Sequence, residues 1–424
     1  VKKSVLILGA GAQGNVVGTV LSRADDVGRI VLADLDTARA QETARSIGSD
    51  RVQVARADVT RIEETAALMR GGEFDLVVNL APPQFIPQAM KAALLAGRHY
   101  LDLSSVRLYE DDLPYEQQRD AEAWRASGRT ALINAGSAPG LTNIMAREGG
   151  ELLDTIERIE IKDYSVTTSD EYVPLWILSV YAIDCATEPW IWEDGRPRRM
   201  PIFSGEEVYD FPPPMGGRGK VFLHAHEEPV TLPLHLGKPV RYCDYKIGDP
   251  DIESWRFLVE RLRLMDETPV DVGGVAVRPR DLLLRLLPPT PSPQRVQKMV
   301  QEKRLASRCI LTCDVTGERA GRRTQVRLWT DSPDLESACR AVPGASDISL
   351  LTSVPASIFA LMILRGQVER PGVVLPESLE RQERDLLLEG IAEYGIEIRR
   401  RSSDPATSSR EPRPASDGPP RRSA

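Results

Sequence analysis

An α/β fold, a doubly wound parallel sheet carrying a second, inserted α+β domain, follows from three features of the sequence. Strands and helices alternate over the first 135 residues, a glycine-rich turn joins the first strand to the first helix, and the alternation stops after Gly140. KSVLILG is a continuous apolar run, the pattern of a strand buried on both faces. A helix follows from about Gln13 to Arg23. RIVLAD reads as the second strand, 37–47 as helix, VQVAR as the third strand and 61–70 as helix. FDLVVNLA is a strand, 85–96 a helix, HYLDLS a strand, 115–127 a helix, and TALINA the last strand of the series.

Beyond Gly140 the alternation weakens and prolines become more frequent. Residues 155–165, 220–232 and 308–315 read as strands of another sheet, and 252–265 as a long helix. VRPRDLLLRLLPP (277–289) is a short amphipathic helix stopped by two prolines. SVPASIFALMILRG (353–366) is an apolar helix expected to pack back on the first domain. The expected division is 1–135, 136–350, 351–400 as returning helices, and 401–424 as a disordered tail. That tail has no aromatic and no branched aliphatic residue with which to offset its ordering entropy.

The 424 residues are 42% hydrophobic and 27% charged, ordinary for a globular protein. A net charge of -8 and a pI near 5.4 argue against a general nucleic-acid binder, which would carry a basic stripe. Five scattered cysteines, odd in number and without a CxxC pair, set a reduced, cytoplasmic protein as the expectation. Cys309 and Cys313 read as small buried apolar residues. The chain runs straight into a strand with no apolar leader of the secretory kind. The longest apolar stretches, near 173–183 and 357–364, fall short of the ~20 residues that span a bilayer. Neither a nucleic-acid nor a membrane partner is expected.

LILGAGAQGNVVG places Gly9, Gly11 and Gly14 in a G-x-G-x-x-G arrangement between a strand and a helix. The first glycine permits the tight turn, the second lets backbone approach a pyrophosphate, and the third lets helix and strand pack closely. Ala12 and Gln13 open the helix whose free N–H groups favour the phosphate. Asp34, 20 residues past Gly14 at the end of the second strand, is placed to accept from an adenosine ribose. The first domain is therefore a Rossmann dinucleotide-binding domain. Asp34 repels a 2′-phosphate and is followed by Leu35, which favours NAD, while Arg39 on the next helix leaves NADP open. Asp58, with Val59, either meets the adenine or begins a helix. Asn79, Ala81 and Pro82, at the end of the fourth strand, are placed under the nicotinamide ribose, because ligands lie at strand carboxyl ends.

GSAPGLTN breaks the last strand of the series and starts a new helix at the crevice. Gly140 allows the turn, and Thr142 and Asn143 either offer polar groups to a substrate carboxylate or cap the helix. LHAHEEPVTLP (223–233), read as a strand ended by Pro229, turns His224, His226 and Glu228 to one face. Three readings stand for it: a metal site, for which no second histidine cluster is present; a solvated edge; or an acid/base and substrate-binding apparatus. The third is adopted, with no metal assigned. Histidine titrates near neutral pH, and the glutamates suit a substrate ammonium. Asp102, at the end of the fifth strand, is a second base candidate. Trp190 and Trp192 share a face and read as core or interface.

The stretches GAGAQG, DLVVNLAPPQFIPQAMKAALLAGRHYLDLSSV, INAGSAPGLTNIMA, and VRPRDLLLRLLPP with RGQVERPGVVLPESL resemble the saccharopine dehydrogenase family. The last pair is most similar to its lysine 6-dehydrogenase branch. The resemblance covers roughly 1–380 and is most specific in the cofactor half. It implies an NAD(P)-dependent oxidoreductase acting on a C–N bond of an amino acid or polyamine, lysine-type in the first instance. It also implies a homodimer formed through the second domain's sheet. The acidic HAHEEPVTLP departs from the serine- and glycine-rich turn of that branch, so substrate identity stays open. A reductive-condensation enzyme of the carboxynorspermidine synthase kind is the enzymatic alternative, and a non-catalytic dinucleotide sensor the other.

Overall fold

The computed structural model describes residues 2–106, 108–109 and 113–403. Its first unit contains β1 (Lys3–Leu8), α1 (Ala12–Arg23), β2 (Val27–Asp34), α2 (Thr37–Ile47), β3 (Val52–Arg56), α3 (Ile62–Gly71), β4 (Leu76–Asn79), α4 (Ile86–Ala96), β5 (His99–Leu101), α5 (Ala121–Ala126) and β6 (Thr130–Leu132). The second runs α6 (Leu141–Glu151), β7 (Thr155–Ser169), α7 (Leu178–Cys185), β8 (Trp190–Glu193), β9 (Arg196–Arg199), β10 (Glu207–Asp210), β11 (Arg218–Leu223), α8 (Glu228–His235), β12 (Val240–Gly248), α9 (Ile252–Arg256), β13 (Val270–Val272), β14 (Val275–Val277), α10 (Pro279–Leu286), α11 (Pro293–Gln301), β15 (Leu305–Arg319) and β16 (Arg322–Asp331). The chain closes with α12 (Leu335–Ala341), α13 (Asp347–Leu364), β17 (Gly372–Val374), α14 (Arg381–Ala392) and β18 (Glu397–Ser403).

The first sheet has the order β17-β6-β5-β4-β1-β2-β3 with every pair parallel. The alternation of the sequence thus becomes a doubly wound sheet whose direction of winding reverses between β1 and β4, where such sheets bind ligands. Both faces are covered, which is why Val5–Leu8 of β1 are all apolar and buried. Val5 and Ile7 enter one core with Val16, Val20, Val354 and Phe359, and Leu6 and Leu8 enter the other with Met69, Phe74 and Trp124. The seventh strand, β17, comes from the returning chain and was not anticipated.

The helix α13 is long and apolar enough to cross a membrane, yet 94% of that span is buried inside the molecule, so it is a core helix. It lies along α1, and the Asn15 amide donates to Pro343 O at 2.9 Å just ahead of it. The second sheet, order β10-β11-β12-β7-β15-β16-β18 with β8 and β9 branching from β12, turns Ile159, Ile161, Tyr245, Val315 and Leu328 toward Met145 of α6 and Leu232 of α8. All five cysteines are free and buried. Trp192 is buried, with its indole N–H donating to Val240 O, while Trp190 is only part-buried beneath Arg199.

Several expectations are corrected. Residues 220–232 are not one strand. The strand β11 stops at Leu223 and α8 starts at Glu228, because Pro229 falls in the first helical turn, where a missing N–H costs nothing. The helix expected over 252–265 is shorter: α9 widens into a π turn at Phe257–Arg261, and Arg263 takes a positive φ of 54°. The helix at 115–127 opens as a 3-10 turn, Glu116–Asp120, before α5. Arg401–Ser403, assigned to the disordered tail, continue β18 against β16, since strand pairing uses backbone groups that any residue supplies. The rest of that tail, 404–424, lies outside the described residues.

Arg384 of α14 is fully buried against α6. Its Nε donates to Glu148 at 2.7 Å, Nη2 to Glu151 at 2.6 Å and Nη1 to Leu379 O at 2.7 Å. Arg384→Leu leaves Glu148 with only Arg381 at 3.4 Å. Losing one member of a buried ion pair costs about 3 kcal/mol. Urea denaturation is expected to show that loss, and an unchanged midpoint would refute the role given to this pair.

Candidate active site

The turn between β1 and α1 is built so that backbone alone faces a ligand. Gly9 has φ +108°, and a Cβ there would lie 2.7 Å from Leu80 O. A Cβ on Gly14 would lie 2.3 Å from Gly9 O. On Gly11 it would meet only the far end of Arg39, so this glycine leaves the approach to the turn open. No side chain caps α1, whose first N–H groups stay available to an anion. Asp34 braces the turn: Oδ2 accepts from Ala10 N at 2.8 Å and Oδ1 from Asp36 N at 2.9 Å. The Thr43 hydroxyl donates to Ala10 O at 2.7 Å. Gln13, next to Ala12 in the first turn, is hydrogen-bonded to Ser353 of α13. This donor set fits a dinucleotide pyrophosphate.

The outlying cofactor candidates are placed less directly. Asp58 accepts from Thr60 N and Oγ1, and its carbonyl accepts from Arg61 N and Thr65 Oγ1, so it shapes the turn into α3. The Thr60 hydroxyl, then its N–H, holds that carboxyl below its usual range. Val59 packs against the core beneath α3. Asn79 is buried, donating to Tyr100 OH at 2.9 Å and accepting from Ala81 N at 3.2 Å. It fixes the β4 loop in shape. Ala81 and Pro82 follow on the rim, part-buried and exposed.

Across the crevice stands an acidic cluster around one imidazole. His226 lies flat on Tyr245, centroids 3.8 Å apart at 10°. Its Nδ1 is hydrogen-bonded to Glu228 Oε2 and is 3.3 Å from Glu227 Oε2. Burial alone would lower its pKa, but Glu228, Glu227 and, beyond them, Asp184 override this and raise it to about 9. At neutral pH the ring is an imidazolium. Glu228, fully buried, accepts from Thr142 Oγ1 at 2.6 Å. Glu227 accepts from Ser105 N, in the loop after β5, at 2.7 Å. The cluster therefore joins the first unit's sheet crevice to α6 and α8. Asp184, in the last turn of α7, is part-buried, and its carboxyl accepts no hydrogen bond from any described residue. Burial, then Glu227, pushes it up to about 8 against the pull of His226.

His224 does not share this face. Its ring is buried 5.7 Å from Tyr181, and desolvation, then His226, lowers its pKa to about 3, so it is a neutral packing residue. The shared-face expectation fails because 224–227 is an irregular link between β11 and α8 rather than a strand. Ligand atoms of His226, Glu227 and Glu228 do converge within 4.8 Å of one another. Each is already engaged, however, by a neighbour or by the backbone, as an ion-paired imidazolium would require.

Thr142 and Asn143 are also corrected. Both are fully buried and face inward. Asn143 donates to Glu377 Oε2 at 3.1 Å and Thr231 Oγ1 at 3.3 Å, and accepts from Gly140 N at 2.8 Å. They position Glu228 and the start of α6 rather than meeting a carboxylate. Gly140, with φ +130°, has Gly136 O 2.2 Å from where a Cβ would stand, so only glycine makes this turn. Asp102 is fully buried, accepting from Asn134 N at 3.0 Å and Gln117 Nε2 at 3.4 Å, and burial raises it to about 7. It organises the loops after β5 and β6 and does not stand over the crevice as a base. Ser105 and Glu377 were not anticipated. Nothing in their local sequence distinguishes them from ordinary loop polar residues.

The saccharopine dehydrogenase NADP-binding domain model matches residues 5–132, and the model for the C-terminal domain of the same enzymes matches 136–396. A carboxynorspermidine synthase from Vibrio cholerae is 26% identical over 412 residues, covering 93% of this chain and 95% of that protein. A carboxyaminopropylagmatine dehydrogenase from Synechocystis is 24% identical over 401 residues, 92% and 96% of the two chains. The apo saccharopine dehydrogenase (L-Glu forming) of Saccharomyces cerevisiae superposes with a TM-score of 0.67 over 95% of this chain and all of that one, at 15% identity, a likeness of fold.

Gly11→Val places its branches where the pyrophosphate must approach, while only the flexible end of Arg39 has to move. Calorimetry is expected to show a folded variant with dinucleotide affinity lowered by orders of magnitude. Undiminished binding would remove the turn from the cofactor site.

Proposed function

The chain belongs to the saccharopine dehydrogenase family of NAD(P)-dependent oxidoreductases, and from that premise we propose that it joins an amine to an aldehyde by reductive condensation on an amino-acid or polyamine skeleton. The reading rests on one observation: an imidazolium, His226, held between Glu227 and Glu228 on Tyr245 at the mouth of the crevice. The amine adds to the aldehyde carbon, and the resulting hydroxyl must leave as water before the C=N bond can form. Glu228 holds Nδ1, so Nε2 of His226 carries the proton that goes to that oxygen. Bound NAD(P)H supplies the hydride that reduces the C=N carbon, completing a secondary amine. Thr142 keeps Glu228 in place, and Glu228 keeps the imidazole in orientation.

The surrounding carboxylates favour a cationic substrate. The carboxyl of Asp184 has no donor among the described residues, and a substrate ammonium beside it would favour its ionised form and supply one. The names of the two relatives, both polyamine-type, agree with such a substrate and favour it over lysine itself. A homodimer belongs to the same reading. Val270, Val272 and Val275 lie exposed on the β13–β14 hairpin, and Leu282 and Leu286 on α10, leaving apolar surface for a second copy to cover. Sedimentation equilibrium at micromolar protein is expected to show the dimer, and a monomer there would overturn it.

NAD(P)H oxidation, followed with amino-acid semialdehydes and a panel of diamines, tests the activity. Turnover with diamines is expected. Turnover only in the oxidative direction with lysine would replace this reading with a lysine dehydrogenase, and none with any amine would leave a dinucleotide-binding protein. Because the folded pKa of His226 is raised, its charged form stabilises the protein. That contribution is complete below the unfolded value near 6.5 and lost as pH rises through about 9. Reductive turnover should fall over the same upper range. His226→Gln is expected to lose about 10²–10⁴-fold in kcat and to lack that descending limb. A variant that keeps the limb would exclude His226 as the acid.

A further inference from the structure

The far end of the first sheet, away from the crevice, carries more positive charge than its own carboxylates meet. Lys3 opens β1, His99 opens β5 with Arg98 just before it, and Arg129 precedes β6, so all lie at the amino ends of parallel strands. With Asp75, which leads into β4, they line a cavity of about 190 Å³ against the last residues of α13. A dinucleotide lies at the carboxyl ends of such strands, so this cavity is separate from the crevice. Asp75 is already committed: Oδ2 accepts from Ser4 N at 2.8 Å, and Oδ1 is 3.5 Å from Lys3 Nζ. Arg98 Nε is buried with no acceptor among the described residues, and Nη2 of the same group reaches only Arg70 O, at 3.4 Å.

The imidazole decides what the cavity can hold. Nδ1 of His99 accepts from Thr130 N at 3.2 Å, so the ring's proton sits on Nε2. Burial, then the Arg129 guanidinium, hold the ring below its usual pKa, in keeping with this neutral form. Nε2 lies 3.3 Å from Arg129 Nη1. Both atoms carry hydrogens, so neither satisfies the other, and among the described residues the Arg129 guanidinium has no acceptor. Glu369, exposed, acts on the ring only through longer-range charge. Two guanidinium charges, Arg98 and Arg129, are thus left unbalanced beside a third donor. A guanidinium presents a planar fork that matches phosphate oxygens, and a dianion offsets both charges. We propose that this cavity binds a phosphate-class dianion, either inorganic phosphate or the phosphoryl group of a phosphomonoester whose ester points out past the exposed Arg129. One oxygen takes His99 Nε2–H and Arg129 Nη1 together, and Arg98 and Lys3 supply charge from the sides. The site is independent of which amine the enzyme uses.

Calorimetry on the full chain tests this with the dinucleotide site saturated, so that the turn between β1 and α1 cannot take the probe. The titrants are inorganic phosphate, glycerol 3-phosphate and acetate. One saturable site is expected for phosphate or its ester, with acetate much weaker. Tighter phosphate identifies the free anion as the ligand, and tighter glycerol 3-phosphate identifies an ester. Arg129→Gln is expected to lower that affinity about 10- to 100-fold, as loss of a charged hydrogen bond requires. Its melting curve and its dinucleotide affinity should match those of the wild type, because the side chain is exposed and at the opposite end of the sheet. Saturated wild-type protein that binds neither phosphate nor its ester would overturn the site. So would Arg129→Gln protein that binds them as tightly as wild type. Binding that appears only in Glu369→Gln protein would also overturn it, since the cavity would then belong to that carboxylate.

Discussion

A part-buried positive charge holds the two halves of this molecule in register. An imidazolium taken out of water is tolerated only with partners, and His226 has Glu227 and Glu228. Those carboxylates would be as costly alone. Glu227 is met by Ser105 N from the first sheet's β5 loop, and Glu228 by Thr142 of α6. Each member thus depends on a group from a different element. The geometry of the crevice and the protonation state of the acid in it are set by one network, and a change in domain placement would alter both.

The cofactor side is organised on the opposite principle. Its contacts come from backbone: glycines at 9 and 14 that admit no side chain, Gly11 leaving the approach open, an uncapped helix terminus, and a turn braced by Asp34 and Thr43. Such a site is rigid and indifferent to the chemistry opposite it. The helix α13 reinforces it by packing along α1 and bonding Gln13 through Ser353. The side chains at the substrate end, by contrast, are the charged ones of the acidic cluster.

Much of this was legible in the residues themselves. The apolar runs of β1, β2 and β4 report burial on both faces, and the glycine spacing with Asp34 reports the cofactor turn, because both patterns follow from local backbone geometry. Gly140 is legible for the same reason: its φ and the closeness of Gly136 O leave no other residue. The HAHEEP stretch misled because alternation around a proline suits a strand end and a helix start equally well, and only the end of β11 against β12 decided between them.

The sequence by itself determined the six alternating strands of the first sheet and the dinucleotide turn, since each is written in periodicity or in a steric demand within a few residues, and its resemblance to a family implied the class of chemistry. Only the tertiary structure decided which polar groups form the acid site. Thr142 and Glu228 are 86 residues apart, and Asn143 and Glu377 are 234 apart. His226 and His224 differ by two positions yet are charged and neutral, because their pKa values depend on which carboxylates the packed domains bring to each ring and how much water they exclude. Electrostatic environment is a property of the assembled interior, and no local pattern carries it.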